Sequence, residues 1–524
     1  MNNGKILWVD DEIDLLKGHI IFLKNKGYEV TPVSNGTDAL EECTKHSFDL
    51  IMLDEMMPGL TGLETLQKIK EIQPQTPVIM VTKSEEEDLM DQAIGSKIAD
   101  YLIKPVNPHQ ILLSLKKNIH RKEIECEVTQ MTYRSDYQKI AMMIDSCADW
   151  NDWMNVYRTL TRWEVELSNG DNGMADMLAM QKEEADLGFA KYIRSHYMEW
   201  MDAISAKLNG KHSNVSCPFM SQDVFKGKIF PLIDKGEKVF MIVIDNFRWD
   251  QWSMLAREIG GDFDIQEDMY MSILPTATQY ARNAIFSGLM PNKIAQMFPE
   301  LWVDEEEEEG KNLNEEPLIR TQIERFRRHD KFSYNKINDS EAAAKFLQRF
   351  NTLKENDLNV VVINFIDMLS HARTESKMVR ELANNESAYR SITLSWLRHS
   401  VIADLFRMLA NTDYAVVLTT DHGSIRCSKP LKIIGDRNTN TNLRYKLGKN
   451  LAYNSKEVFA IKEPHKAFLP SPNISTSYVF ACGNSFFAYP NNYNYYVSYY
   501  KDTFQHGGIS MEEMLVPLIT MRRK

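Results

Sequence analysis

Two sets of acidic, basic and histidine residues recur along this 524-residue chain at the carboxyl ends of short apolar runs. In the first hundred or so residues, Asp10 and Asp11 follow KILWV, Asp54 ends DLIMLD, Thr82 ends PVIMVT, and Lys104 follows ADYLI. Three carboxylates brought together repel one another unless a hard divalent cation sits among them, and Mg²⁺, with oxygen ligands and retained waters, suits such a group. Lys104 adds a compact positive charge, and Thr82 adds a hydroxyl able to hydrogen-bond a phosphoryl oxygen. A single strand-end Asp reads as a helix cap. The whole spaced set reads as a pocket that accepts a phosphoryl group.

Beyond residue 240 the pattern returns with different ligand chemistry. Asp245 lies in MIVIDN, Asp367 and His371 in NFIDMLSHAR, Asp421 and His422 in LTTDHG, and His506 in FQHGG. Read as strand-end positions, these six residues have the nitrogen and oxygen character that Zn²⁺ accepts. Thr276 and Thr278 lie in ILPTATQYARNAIFSG, where a strand gives way to a helix. The start of a helix favours negative charge beside it, and metal coordination turns a hydroxyl into a useful nucleophile. Taken singly, DHG is a turn and D-x-x-x-H is common; the combination points to a metal site. His196 and His465 stand alone and read as structural or exposed.

Strands and helices in alternation must position both sets. From Lys5 to about Lys117, five apolar runs alternate with stretches of helical spacing such as Ile13, Leu16, Ile20 and Leu23. Five βα units predict a parallel sheet with helices on both faces and ligands at the carboxyl ends of its strands. Residues 121–217 lack proline and carry Trp150, Trp153, Trp163 and Trp200 in helix-favouring sequence. That composition predicts a helical bundle with the tryptophans in its core, serving as a spacer. From about Phe219 the rhythm returns with KVFMIVIDN, DMYMSILPT, NVVVINFID, YAVVLTTDHG and the late aromatic SFFAYPNNYNYYVSYY, giving a larger α/β domain. The expected fold class is α/β throughout: a five-stranded doubly wound domain at 1–120, an all-α bundle at 121–217 and a second α/β domain at 218–524.

Composition narrows the function classes. Lys plus Arg number 61 against 73 Asp plus Glu, a net charge of -12, which argues against binding nucleic acid through bulk positive potential. Any anionic substrate must be met locally. Six cysteines without a CxxC pair indicate neither a disulfide framework nor a thiolate zinc site. The acidic N-terminus does not read as a secretory signal, and no apolar run approaches a membrane span, so a cytoplasmic protein without membrane insertion is expected. The acidic run from Asp304 to Gly310 reads as a solvated loop. Arg320, Arg325, Arg327 and Arg328 read as a solvated helix or a phosphate grip, the former favoured. Asn491, Asn492 and Asn494 among tyrosines read either as a base-stacking surface or as ordinary packing.

The segments VDDE, LDEMMPGLTGLE, TKSE and YLIKP resemble the receiver domain of two-component response regulators over residues 1–120. The resemblance implies that a sensor histidine kinase phosphorylates Asp54, that Asp10, Asp11, Asp54 and the backbone of Met56 hold Mg²⁺, and that Thr82, Tyr101 and Lys104 form the switch. Residues 220–520 resemble the alkaline phosphatase superfamily, and within it the PglZ group. That resemblance implies one zinc on Asp245, Thr278, Asp421 and His422 and a second on Asp367, His371 and His506. Thr278, ten residues before Gly288, is the implied nucleophile and Thr276 the reserve choice. The implied reaction is in-line attack on phosphorus through a phospho-threonine. Diesters are preferred to monoesters because no third cation site is evident, although Arg282 and Arg373 lie near in sequence.

The whole-chain order resembles PorX-type response regulators. It implies a role in type IX secretion, a nucleotide or oligonucleotide diester substrate, and partners in transcription or secretion. No helix-turn-helix signature accompanies it. The domain order also suggests a homodimer that forms on phosphorylation. The competing reading is a phosphorylation-driven interaction or nucleotide-sensing protein whose zinc domain does not turn over.

Overall fold

Short runs of β-branched and aliphatic residues form the strands of the first unit: β1 (Lys5–Val9), β2 (Glu29–Val33), β3 (Leu50–Asp54), β4 (Val78–Thr82) and β5 (Asp100–Ile103). The computed structural model describes residues 3–74, 76–83, 98–168, 172–304, 312–383, 385–436, 439–473 and 475–524. It divides into two compact units, residues 1–132 and 133–524.

In the first unit the strands pair in parallel in the order β2-β1-β3-β4-β5. Every residue of β3 and β4 is buried, as central parallel strands with covered faces require. Helices α1 (Lys17–Asn25), α2 (Gly36–Lys45), α3 (Gly62–Ile72) and α4 (Pro108–Ile119) pack on the sheet through separate cores on its two faces. The segment between β4 and β5, helical in the reading of five βα units, falls at 84–97, outside the described residues. Thr61 and Glu64 cap α3 reciprocally, and its first residue has to be glycine. A Cβ on Gly62 would collide with the Asp54 carbonyl oxygen and with Glu55, so the missing side chain seats the helix against the end of β3.

The second unit is built on a mixed sheet of β6 (Val239–Ile244), β7 (Phe263–Met271), β8 (Phe332–Ile337), β9 (Leu358–Ile363), β10 (Ala415–Thr419) and β11 (Leu515–Arg523), in the order β7-β11-β10-β6-β9-β8. Strands β10, β6, β9 and β8 are parallel, whereas β11 runs antiparallel to both β10 and β7. The segment DMYMSILPT contributes the end of β7, an antiparallel edge strand of this α/β sheet. The late aromatic segment also divides, into a strand at Ser485–Ala488 and a helix at Tyr493–Tyr500. The acidic run at 305–310 lies outside the described residues.

The middle helices α5 (Arg121–Asp145), α6 (Trp150–Leu167) and α7 (Asn172–Leu208) bury Trp153, Trp163 and Trp200. These tryptophans share one continuous core with Phe240, Tyr280, Phe459 and other residues of the sheet domain. Tyr197 of α7 meets Phe459 edge-on at 6.2 Å. Apolar faces that the three helices cannot bury among themselves are thus covered by the sheet domain. Among the described residues, no helix is long and apolar enough to cross a membrane.

The shared core carries a test. Trp200→Ala removes about 3–5 kcal/mol, and calorimetry of the full chain should show the whole 133–524 transition moving down as one. A helical transition that shifts alone, leaving the sheet domain at its original temperature, would contradict the shared core.

Candidate functional site

In the first unit Asp10 and Asp54 are buried and Asp11 is exposed, with ligand oxygens of all three within 4.8 Å of one another. Lys104 Nζ lies 2.7 Å from Asp10 Oδ2 and 2.7 Å from Asp54 Oδ2. Burial pulls the Lys104 pKa down, but its hydrogen bonds and the charges of both carboxylates outweigh that and raise it. Burial raises the Asp54 pKa against the pull of Lys104. Asp54 Oδ1 is buried with no hydrogen-bond partner, an orphaned oxygen that suits a hard cation or an incoming phosphoryl group. Thr82 is buried at the end of β4, and its carbonyl accepts from Lys104 N at 2.7 Å. Tyr101 is half-buried on β5, and the Met56 side chain is exposed two residues past Asp54.

In the second unit the carboxyl ends of β6 and β10 bring Asp245, Asp421 and His422 together, again with ligand atoms within 4.8 Å. Helix α8 (Trp249–Ile259) follows Asp245, and helix α9 (Thr278–Ser287) begins at Thr278. Thr278 therefore stands among first-turn N–H groups that have no intrahelical partner. Its Oγ1 lies 3.1 Å from His422 Nε2 and 3.5 Å from Asp245 Oδ1. His422 Nδ1 is 3.1 Å from the Gly423 carbonyl oxygen, to which it donates. This assigned tautomer leaves Nε2 with a lone pair facing the Thr278 hydroxyl and the two carboxylates. Burial lowers the His422 pKa, so the ring is neutral.

Arg282, one turn beyond Thr278, was visible in the sequence only as a neighbour. It is buried and pairs with Asp245, with Asp421 through Nε at 3.0 Å, and with Glu315 through Nη1 at 3.1 Å. Burial, reinforced by the Asp421 and Asp367 charges, pushes Asp245 up to about 7 in spite of Arg282.

The second ligand set corrects the strand-end reading of Asp367 and His371. Both lie on helix α10 (Phe365–Glu375), which follows β9, so D-x-x-x-H is an i, i+4 pair on one helical face. Asp367 Oδ2 is 3.4 Å from His371 Nε2, and Asp367 Oδ1 is 3.5 Å from His506 Nε2. His506 Nδ1 donates to the Thr276 carbonyl at 3.2 Å, so its Nε2 too is presented for a ligand role. Such a fixed ring orientation is the pattern metal-binding histidines adopt. Burial and the neighbouring His422 carry His506 down to about 4. Although burial works against it, His371 and His506 hold the Asp367 carboxyl well below its usual range. The rings of His422 and His506 stack at 4.2 Å, so the two sets adjoin, and His371 is the exposed member.

Thr276 faces different constraints from Thr278. Its hydroxyl donates to the Gly508 carbonyl at 2.9 Å and accepts from Gly507 N at 3.0 Å. It clamps the turn before α9 to the segment that carries His506. Sequence reasoning missed Asn246, whose left-handed backbone (φ 62°) lets Nδ2 reach Asp367 Oδ1 at 3.4 Å and Ser370 Oγ at 3.3 Å. A positive φ on a non-glycine residue directly after Asp245 is strain of the kind found at functional sites. No sequence motif announced it.

The remaining sequence candidates disperse. Arg320 pairs with Glu316, Arg328 with Asp234 and Asp330, and Arg325 reaches the Ser287 carbonyl. Asn491, Asn492, Asn494, Tyr495 and Tyr496 are exposed. The Arg373 side chain lies outside the described residues.

Three family models match the chain: the response regulator receiver domain over residues 6–116, the PorX response regulator linker domain over 123–201, and the BREX system PglZ alkaline phosphatase-like domain over 224–521. The transcriptional regulatory protein ResD of Bacillus subtilis (strain 168) is 35% identical over 120 residues, 23% of this chain and 50% of ResD. The alkaline phosphatase synthesis transcriptional regulatory protein PhoP of the same organism is 33% identical over 131 residues, 25% of this chain and 54% of PhoP. The chain thus spans about half the length of these curated relatives. A response regulator receiver domain structure from Clostridium thermocellum is 33% identical, covering 23% of this chain and 97% of that one, with a TM-score of 0.22.

The raised Asp245 pKa would make binding of a metal at this set pH-dependent. A metal must displace the proton that Asp245 holds below about 7, so affinity rises with pH up to that point and then flattens. Calorimetric zinc titrations at pH 6 should show about one proton released per ion at this set and roughly tenfold weaker binding per pH unit below 7. Affinity that stays level from pH 5 to 7 would contradict this ionisation.

Proposed function

The chain belongs to the PglZ alkaline phosphatase-like family, with a receiver and a PorX-type linker ahead of that domain, and we propose that this two-component response regulator is a zinc-dependent phosphodiesterase acting on nucleotide or oligonucleotide diesters. The observation that carries the reading is the Thr278 hydroxyl, at a helix start, 3.1 Å from a neutral His422 and beside two adjoining Asp/His ligand sets. The first zinc would be held by Asp245, Asp421, His422 and Thr278, and the second by Asp367, His371 and His506. The paired Nδ1–carbonyl bonds of His422 and His506 support that fit, because each ring is held with Nε2 toward its carboxylate neighbours. When bound, zinc supplies charge neutralisation at phosphorus and a lowered pKa for coordinated hydroxyl groups.

The chain's own residues account for the rest. The Thr278 oxygen is set 3.1 Å from His422 Nε2 and 3.5 Å from Asp245 Oδ1, the atoms that would share the first zinc with it, and the helix start that carries it positions it as the nucleophile. Thr278 Oγ1 gives up its proton and forms the new bond to phosphorus, the ester bond opposite it breaks, and the leaving oxygen takes up one proton from solvent and departs as an alcohol. Water then cleaves the phospho-threonine and regenerates the hydroxyl. First-turn N–H groups of α9 favour the negative charge on the transferred phosphoryl group. Arg282 is committed to three carboxylates and is not available to a monoester's additional charge, which supports a diester substrate.

Control enters through Asp54, with a sensor histidine kinase as the phosphoryl donor and Mg²⁺ held by Asp10, Asp11, Asp54 and the Met56 backbone. Thr82 moves toward the phosphoryl group and Tyr101 follows, changing the face that a phosphorylation-dependent homodimer would use. Type IX secretion and its transcriptional control are the setting that the PorX-type architecture supports. A cytoplasmic location fits that role.

The test is hydrolysis of bis-p-nitrophenyl phosphate by zinc-loaded full chain, with and without acetyl phosphate. Thr278→Ala should lower kcat by about a thousandfold or more while zinc stays bound, and Thr276→Ala by no more than about a hundredfold. Asp54→Ala should abolish both acetyl-phosphate labelling and the response to it. Zinc bound without turnover of any diester would instead assign the domain a ligand-sensing role.

A further inference from the structure

Outside the metal ligands, a group of buried and half-buried charges lies where the middle helices meet the sheet domain. Glu164 on α6, Asp250 on α8 and Glu386, at the start of helix α11 (Glu386–His399), approach as closely as a metal-binding set. The described side chains already fill that space with cations. Arg390 bridges Glu164 at 2.6 Å and Asp250 at 3.3 Å. Arg248 bridges Asp250 at 2.5 Å and Glu386 at 2.6 Å. Lys182 on α7 bridges Glu164 at 2.6 Å and Glu512 at 3.1 Å.

This lattice touches the segments that carry Asp245, His422 and His506. Arg248 follows Asp245 by three residues, donates to the Ser424 carbonyl at 3.3 Å, and lies 5.3 Å over the ring of Phe504. Ser424 is two residues past His422, and Phe504 two before His506. Glu512 packs against Gly423 so closely that a Cβ there would strike its carbonyl oxygen, which is why DHG ends in glycine. The next residue, Glu513, accepts from Gly508 N at 2.8 Å, and the Gly508 carbonyl accepts the Thr276 hydroxyl.

Helix α7 makes two further polar contacts with the same floor. Asp186 Oδ1 accepts from Met511 N at 3.0 Å, and Tyr197 Oη accepts from Leu274 N at 3.0 Å, four residues before Thr278. One helix therefore holds the turn before the nucleophile and the segment behind His506.

Buried ion pairs are poor devices for stability alone, since well-packed apolar residues serve as well, but breaking one partner leaves a stranded charge and so enforces one arrangement. We propose that α6 and α7 are part of the positioning machinery of the metal site: Lys182, Arg390 and Arg248 lock these helices to the segments bearing Asp245, His422 and His506, so that metal occupancy and the packing of α7 are thermodynamically coupled. Lys182 and Arg248 are positioning residues, touching neither metal nor substrate. The coupling is reciprocal: whatever loosens α7 weakens the metal, and the metal tightens α7. The inference rests on the zinc reading above and supplies the PorX-type linker with a mechanical role in it.

Hydrogen exchange of the full chain, with zinc and with a chelator, reads the coupling directly. Zinc should slow exchange in peptides of α7 by about fivefold or more. Lys182→Met should weaken zinc binding, measured by competition with a chromophoric chelator, by about fivefold or more and remove the α7 response, whereas Lys182→Arg should restore both. Zinc that binds wild type and Lys182→Met alike, with α7 exchange indifferent to it, overturns the proposal. The wild-type exchange comparison decides even if Lys182→Met fails to fold. Failure of wild type to bind zinc overturns the metal reading itself, and this inference with it.

Discussion

Carboxylates that converge inside a fold cannot all stay charged and buried without cations, and the way each cluster is neutralised decides what it does. At Asp10 and Asp54 a single lysine takes one oxygen from each and leaves Asp54 Oδ1 bare. At Asp245 and Asp421 one arginine lies against Oδ2 of both, while Asp245 Oδ1 faces Thr278 and His422. At Glu164, Asp250 and Glu386 three cations complete the neutralisation. The first arrangement suits a phosphoacceptor, the second a metal, and the third a structural lock.

The histidines follow the same logic through their hydrogen bonds. His422 and His506 each spend Nδ1 on a backbone carbonyl, and burial keeps both neutral. Their position therefore depends on the Gly423 and Thr276 carbonyls, and through these on the Thr276–Gly508 clamp and on Glu512 behind Gly423. A site built this way is sensitive to the helices beneath it. Those helices share the core of the sheet domain, which gives the middle of the chain a structural reason to matter for chemistry at its end.

Much of this was legible in the sequence because strand-end polar residues follow apolar runs that declare themselves. The five strands of the first sheet, Asp54, Lys104, the Asp245 and Asp421–His422 positions and the helix start at Thr278 all lie on such local signals. Strand β11 was hidden by Pro517, which argues against an inner strand; the structure accommodates it where the pairing with β10 begins only at Leu518, and the Thr419 hydroxyl donates to the Pro517 carbonyl at 2.7 Å. Strand β8, FSYNKI, is half-buried at the sheet edge and lacks a continuous apolar run. Arg248, Arg282 and Asn246 were illegible as site residues because their partners lie far away in sequence, and only folding defines their roles. The same holds for the tryptophans of α6 and α7, whose burial was readable but whose neighbours in the sheet domain were not.

The most direct test of the central claim is anomalous diffraction at the zinc edge from crystals of the zinc-loaded full chain. The account predicts zinc at Asp245, Asp421, His422 and Thr278, and zinc at Asp367, His371 and His506, with Arg282 still bridging the outer oxygens of Asp245 and Asp421. Zinc found elsewhere, or no zinc at either ligand set, would contradict it.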